Sequence, residues 1–143
     1  MDSGYYYKSG LYNFERAQLE ALAAKWHWQI VDPPALVGSS SVLNKFLFVA
    51  IDGQYTRFFD ACDNLSEEEV LITYIKEIDL SEYTEELNTK PAAYIICRTQ
   101  EMTEKVGKML KEYEMVPLPS DNLESALLKE IRLESPSLRH AMA

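Results

Sequence analysis

The sequence predicts a mixed α/β domain in three layers, with helices on both faces of a central five-stranded sheet. Three observations carry this. Apolar residues sit at helical spacing in 14–24, run continuously or alternate in 26–32, 45–51 and 54–61, then return to helical spacing in 70–78. Asp52-Gly53 lies between two strand-like runs, the strongest short-range hairpin signal. Beyond it, helical and strand-like segments alternate, which implies parallel crossovers packed on a sheet. The predicted order is α-β-β-β-α-β-α-β-α.

Residues 1–12 are expected to form a flexible arm, with Tyr5, Tyr6 and Tyr7 in a row. Asn13 is placed as the cap of a first helix whose stripe is Phe14, Ala17, Ala21 and Ala24, with Leu22 beside it. WHWQIVD (26–32) alternates aromatic and polar residues and reads as a strand stopped by Pro33-Pro34. After a loop at 38–41, KFLFVAI (45–51) has the unbroken apolarity of a fully buried strand, and QYTRFFDA (54–61) returns. A two-residue turn at Asp52-Gly53 places Lys45 opposite Asp60, Leu47 opposite Phe58 and Val49 opposite Thr56. A bulged turn would shift that register and remove the Lys45–Asp60 pair.

Asn64 or Ser66 is the expected cap of the next helix. Glu67, Glu68 and Glu69 fill its first turn, where carboxylates suit the helix dipole. Val70, Leu71, Tyr74, Ile75 and Ile78 follow at helical spacing, and the polar stretch 81–90 reads as a short helix and loop. AAYIIC (92–97) is the expected central strand. A helix over 101–114 is expected to bury Met102, Val106, Met109, Leu110 and Tyr113. MVPLP (115–119) suits an edge strand, because prolines are tolerated there. Asp121 or Asn122 caps a last helix through Leu133, and 135–143 is an expected frayed tail. The globular domain is thus 13–134.

At 143 residues, 47% hydrophobic and 26% charged, the chain is long enough to bury one core. No apolar run approaches the ~18 residues that span a bilayer, and the N-terminus lacks a basic stretch followed by an apolar one. A cytoplasmic protein is expected, with Cys62 and Cys97 as free thiols. Two cysteines and two histidines (His27 and His140) show no CxxC, HxxxH or HExxH spacing, so no metal cluster is predicted. Neither a GxxxxGK[ST] loop nor GxGxxG nor GxSxG occurs.

The net charge is −9, and it is unevenly placed. Residues 63–89 hold nine acids (Asp63, Glu67, Glu68, Glu69, Glu77, Asp79, Glu82, Glu85 and Glu86) against one base, Lys76. Such a field repels phosphate backbones and attracts basic partners. Direct nucleic-acid and membrane binding are not expected. Strand aromatics such as Phe46, Phe48, Phe58 and Phe59 read as core, whereas Tyr5 to Tyr7 suit a partner surface.

The stretch FLFVAIDGQYTRFFDACD (46–63) combines a hairpin with an acid near the end of its second strand. Together with the order helix, three strands, helix, strand over 13–98, it resembles the restriction-endonuclease-like superfamily, the PD-(D/E)XK nucleases. That resemblance implies a Mg²⁺ site made from an acid near the start of the second strand and an acid-x-lysine on the third. An acid on the first helix often assists. Here Asp60 matches the third-strand acid, Cys62 stands at the lysine position and Asn44 at the second-strand acid. Glu15 and Glu20 are the first-helix candidates. Residues 92–116 are also similar to the strand-helix-strand unit in the second domain of helicases, a generic βα unit.

Mg²⁺ prefers hard oxygen ligands, and a neutral thiol cannot stabilise charge developing in phosphoryl transfer as an ammonium does. The expected function is therefore non-catalytic and needs no cofactor. The chain is read as an inhibitor, immunity factor or accessory subunit of a nucleic-acid enzyme. It would meet a basic partner protein through Tyr5, Tyr6, Tyr7, Glu67, Glu68, Glu69, Glu82, Glu85 and Glu86. The alternative is a Mg²⁺-dependent nuclease using Asp60, a displaced Lys45 and Glu20. A third class, a small-molecule-binding domain, would need a deep apolar pocket at the strand C-termini.

Overall fold

The structure is a computed structural model that describes residues 10–134. The arm residues Tyr5, Tyr6 and Tyr7 and the tail 135–143 lie outside the described residues. Helix α1 (Asn13–Lys25) leads into β1 (Gln29–Ile30), then β2 (Ala35–Val37) and β3 (Leu43–Lys45). Strands β4 (Phe48–Ile51) and β5 (Tyr55–Cys62) form the hairpin. Helices α2 (Glu67–Asp79) and α3 (Ser81–Glu86) precede β6 (Lys90–Cys97), and α4 (Glu104–Glu112) precedes β7 (Met115–Pro119). A 3-10 turn (Ser120–Asn122) opens α5 (Leu123–Glu134).

The main sheet runs β1-β4-β5-β6-β7, antiparallel across the first three strands and parallel across the last three. Side chains alternate between its faces, as a pleated strand requires. Phe59 and Ala61 of β5 and Tyr94 and Ile96 of β6 pack with Leu19, Leu22 and Ala23 of α1 and Leu123 and Leu127 of α5. On the opposite face Cys62, Ala93, Ile95 and Cys97 meet Val70 of α2 and Val106 and Leu110 of α4. Burying each large apolar side chain contributes about 1.5–3 kcal/mol. This is the predicted three-layer α/β architecture with a five-stranded mixed sheet.

Local details depart from the sequence reading. Only Gln29 and Ile30 of 26–32 join the ladder. The backbone before them completes the end of α1: Trp26 N–H donates to Leu22 O (2.9 Å) and Trp28 N–H to Ala23 O (2.8 Å). The expected strand 45–51 divides in two. Lys45 pairs with Ala35 in a separate β2–β3 ribbon, and Phe46 N–H donates to Pro34 O (2.8 Å). On α1 the buried residues are Glu15, Leu19, Leu22 and Ala23, while Phe14 is 66% exposed. Asn13 is the first helical residue and makes no cap bond; its Oδ1 accepts from Arg16 (3.4 Å). Tyr12, the last residue of the expected arm, is buried and donates to Asp63 (3.2 Å). Of the two caps expected before α2, Ser66 serves: its Oγ accepts from Glu69 N–H (3.3 Å). Before α4 an unexpected cap, Thr103, accepts from Val106 N–H (3.2 Å) and starts the helix later than expected. Because Thr103 starts α4, Met102 precedes the helix and stays exposed.

The hairpin register is decided by one side chain. Asp52 Oδ1 accepts from both Gln54 N–H (3.0 Å) and Tyr55 N–H (2.7 Å), and Gly53 takes φ 94°. The loop is wider than a two-residue turn, so Ile51 pairs with Thr56, Val49 with Phe58 and Phe48 with Phe59. Lys45 is therefore not opposite Asp60. The other Asp52 oxygen binds Arg57, a β5 residue 2% exposed. Arg57 also donates to Tyr94 Oη (2.5 Å) and to both Glu134 oxygens (2.7 Å each), and lies over the Trp28 and Tyr55 rings. The hairpin loop, two strands and the last helix thus share one guanidinium. Arg57→Met, which leaves Asp52 and Glu134 unpaired, is expected to cost about 2–4 kcal/mol in urea unfolding, against about 1 kcal/mol for Tyr94→Phe.

Candidate functional site

Asp60 sits near the C-terminal end of β5, the middle strand, and is 1% exposed. A carboxylate in such a place needs partners, and α2 supplies them. Thr73 Oγ1 donates to Asp60 Oδ2 (2.6 Å), and Lys76 Nζ stands 2.8 Å from the same oxygen. Lys76 also donates to Lys45 O (2.7 Å) and lies 4.4 Å from the Phe46 ring centre. The lysine beside Asp60 is thus Lys76, and Lys45, expected opposite Asp60, contributes only its carbonyl to Lys76. The signal for it was present: Lys76 is the one base among the acids of 63–89, and it falls three residues after Thr73 on the same helix face.

The other expected ligands do not converge on Asp60. Asn44 is buried, and its side chain donates to Asp79 Oδ2 (2.8 Å) at the end of α2. Ser40 binds the same carboxylate through its N–H (2.9 Å) and Oγ (2.8 Å). The Asn44 bond, followed by those from Ser40, holds Asp79 below its usual range. Glu20 is exposed and lines a cleft of about 300 Å³ with Arg16, Ile30, Val31 and Phe48. It lies on α1, across the sheet from Asp60, whose partners are on α2. A further cleft of about 490 Å³ is bordered by Gly53, Gln54, Tyr55, Lys90 and Glu134, remote from the strand C-termini.

Glu15, the other first-helix acid, is 1% exposed and already engaged. It accepts two bonds from Arg98 (2.9 and 3.0 Å) and one from Ser120 Oγ (2.7 Å). The Arg98 guanidinium, helped by Ser120, lowers its carboxyl to about 2 despite burial. Arg98 further approaches Asp63 (3.5 Å) and the Tyr12 ring. Beside this, Cys62 and Cys97 are register partners on parallel strands, both buried. A hydrogen bond with Cys62 draws the Cys97 thiol below its ordinary range.

A Mg²⁺ ion does not fit these residues. Hydrated Mg²⁺ needs several oxygen ligands and room for its waters. Asp60 offers one free oxygen, Oδ1, enclosed and without a hydrogen-bond partner. Lys76 already neutralises the carboxylate, Cys62 is a thiol, and Asn44 is bound to Asp79. Among the described residues, no three His, Cys, Asp or Glu side chains are grouped to hold a metal.

The chain is similar to the small subunit of the heterodimeric restriction endonuclease R.BspD6I, with a TM-score of 0.50 and 11% identity. The fold is restriction-endonuclease-like. The likeness covers 78% of this chain and 65% of that subunit, so the chain spans about two thirds of the neighbour's length, and at this identity it extends to the fold alone. No protein-family model and no curated protein matches the chain. Among the described residues, no helix is long and apolar enough to cross a membrane.

The acidic segment lies on the outside of this fold. Glu67, Glu68, Glu82, Glu85 and Glu86 are exposed, and Glu69 is half-buried. Glu67 pairs with Lys105 (2.9 Å). Glu77 turns inward: its Oε2 is enclosed without a partner, and burial, with Glu114 nearby, raises its carboxyl to about 7.

These two glutamates give opposite pH dependences. Glu15 has a depressed folded pKa, so its contribution is full above about 4.5 and lost as pH falls toward 2. Glu15→Gln should lower stability by about 2–4 kcal/mol at pH 7 and flatten the acid limb of a stability–pH profile. Glu77 has a raised folded pKa, so stability falls as pH rises from about 4.5 through 7. Glu77→Gln should stabilise by about 1–2 kcal/mol at pH 8 and be near neutral at pH 4, read by thermal unfolding at both values.

Proposed function

We propose that this chain is a non-catalytic protein-interaction module on a restriction-endonuclease-like fold. It acts as an inhibitor, immunity factor or accessory subunit of an enzyme that works on nucleic acid, and it meets that partner through the acidic surface of 63–89. The observation that carries the reading is Asp60. The acid that the fold would offer to a metal is enclosed, and its charge is spent on Lys76 and Thr73. A protein in this state has fold without the ligand set, and no cofactor is assigned to it. The surface field supports a basic partner and disfavours direct contact with phosphate backbones. That the fold neighbour is one subunit of a heterodimeric enzyme supports the accessory role.

A second reading has one observation in its favour: a lysine does stand beside Asp60. It makes the chain a Mg²⁺-dependent nuclease with Lys76 as the displaced lysine. Incubating the protein with DNA and with RNA, plus Mg²⁺ or Mn²⁺, separates the two. We expect no cleavage above that of an Asp60→Ala control; cleavage that Asp60→Ala and Lys76→Ala both abolish would overturn the proposal. Affinity purification of the tagged chain from its host tests the positive half. A nucleic-acid enzyme should co-purify and be lost from a Glu82→Lys, Glu85→Lys, Glu86→Lys variant. Recovery undiminished by that charge reversal counts against the acidic surface.

A further inference from the structure

Helix α2 turns the wrong side outward for an ordinary amphipathic helix. Val70, Thr73 and Lys76 face the sheet. Leu71 (43% exposed), Ile72 (38%), Ile75 (57%) and Ile78 (51%) face solvent. These four lie at helical spacing on one stripe, and that stripe continues sideways. Val42, 58% exposed, borders with Ile75 and Ile78 a groove of about 300 Å³ between α2 and the β2–β3 ribbon. Ser40, Asn44 and Asp79 complete the lining. Single exposed aliphatics need no explanation; a contiguous row of them marks an interaction surface.

The charges around the row decide what covers it. Glu68 flanks its N-terminal end, beside a Glu67 already paired with Lys105, and Asp79 and Glu82 flank its C-terminal end, all outside the core. Asp79 stays ionised, because Asn44 and Ser40 donate to it. Lys76, the only base on α2, is buried against Asp60. A second copy of this chain would set acids against acids, and an anionic lipid surface or nucleic acid would be repelled in the same way. An aliphatic row with acidic ends is complementary to a helix whose own aliphatic row has basic ends.

We propose that the α2 stripe Leu71–Ile72–Ile75–Ile78, with Val42, is the docking surface for an amphipathic helix of a partner protein that carries Lys or Arg at both ends of its apolar face. This rests on, and makes specific, the partner-binding reading above. The Ser40–Asp79 and Asn44–Asp79 bonds hold the ribbon against the end of α2 and so keep the groove open.

Fluorescence anisotropy with two designed helical peptides tests it directly. Both present the same leucine row; one has lysines at the ends of that row, the other glutamates. The basic peptide should bind with a Kd of about 10–100 μM, and the acidic one at least tenfold more weakly. The triple variant Leu71→Gln, Ile75→Gln, Ile78→Gln, which replaces solvent-facing side chains, should weaken the basic peptide at least tenfold. Its thermal unfolding should remain that of the parent. Phe14→Gln, on the other side of the molecule, should leave binding unchanged. Equal binding of both peptides, or binding that survives the triple variant, overturns the proposal. So does a dimer in sedimentation equilibrium that Ile75→Gln dissociates, since a second copy would then be the occupant. The outcomes are separable from the function proposed above. If charge reversal at 82–86 releases a nucleic-acid enzyme but neither peptide binds, the surface is wrong and the function stands. If the basic peptide binds as described but no such enzyme co-purifies, the surface stands and the assigned partner class is wrong.

Discussion

A carboxylate inside the middle strand of a sheet must be neutralised from the layer above it, and much of this molecule follows from how Asp60 is neutralised. Thr73 and Lys76 reach it only if α2 presents that face to the sheet. Once it does, Leu71, Ile75 and Ile78 have nowhere to go but outward. The buried ion pair and the exposed aliphatic row are therefore two sides of one helix rotation. Replacing a paired buried charge by apolar side chains is often neutral or better, so the pair is weak evidence for stability by itself. Here its effect is to expose an apolar stripe between acids.

The opposite face of the sheet solves the same problem twice more. Arg57 near the start of β5 gathers Asp52, Tyr94 and Glu134, and Glu15 at the far end gathers Arg98 and Ser120. These clusters tie α5 and α1 to opposite ends of the strands they cover. In each, a guanidinium meets its carboxylates inside hydrogen-bond distance: Arg57 is shared by Asp52 and Glu134, and Arg98 binds Glu15. The exposed acids, in contrast, are concentrated on α2 and α3.

Sequence reading captured what depends on local spacing. A cap at Asn64 or Ser66, the strand at 92–97, the proline-bearing edge strand and the alternation of layers all follow from periodicity and punctuation within a few residues. It failed where a distant group decides. The helix α1 stripe was misplaced because Glu15 is drawn inward by Arg98, 83 residues away. The hairpin register was misread because Asp52 closes a wider loop with its own side chain and holds Arg57 with the other oxygen, so Lys45 never faces Asp60. The lysine that does pair with Asp60 was invisible to strand pairing, since it arrives from a helix. At the site itself, Asp60 was readable as an acid on the second strand of the hairpin; that Lys76 would stand beside it and that Asn44 would be occupied by Asp79 were not.

The claim beneath this account is that Asp60 and Lys76 are energetically one unit. A double-mutant cycle with Asp60→Asn and Lys76→Met, measured by urea unfolding at pH 7, tests it most directly. The account predicts that each single change is strongly destabilising and the double change much less so than their sum, with a coupling of about 2–3 kcal/mol. Additive effects, with a coupling below about 0.5 kcal/mol, would show that Asp60 is not held by Lys76 and leave its carboxylate available for other work.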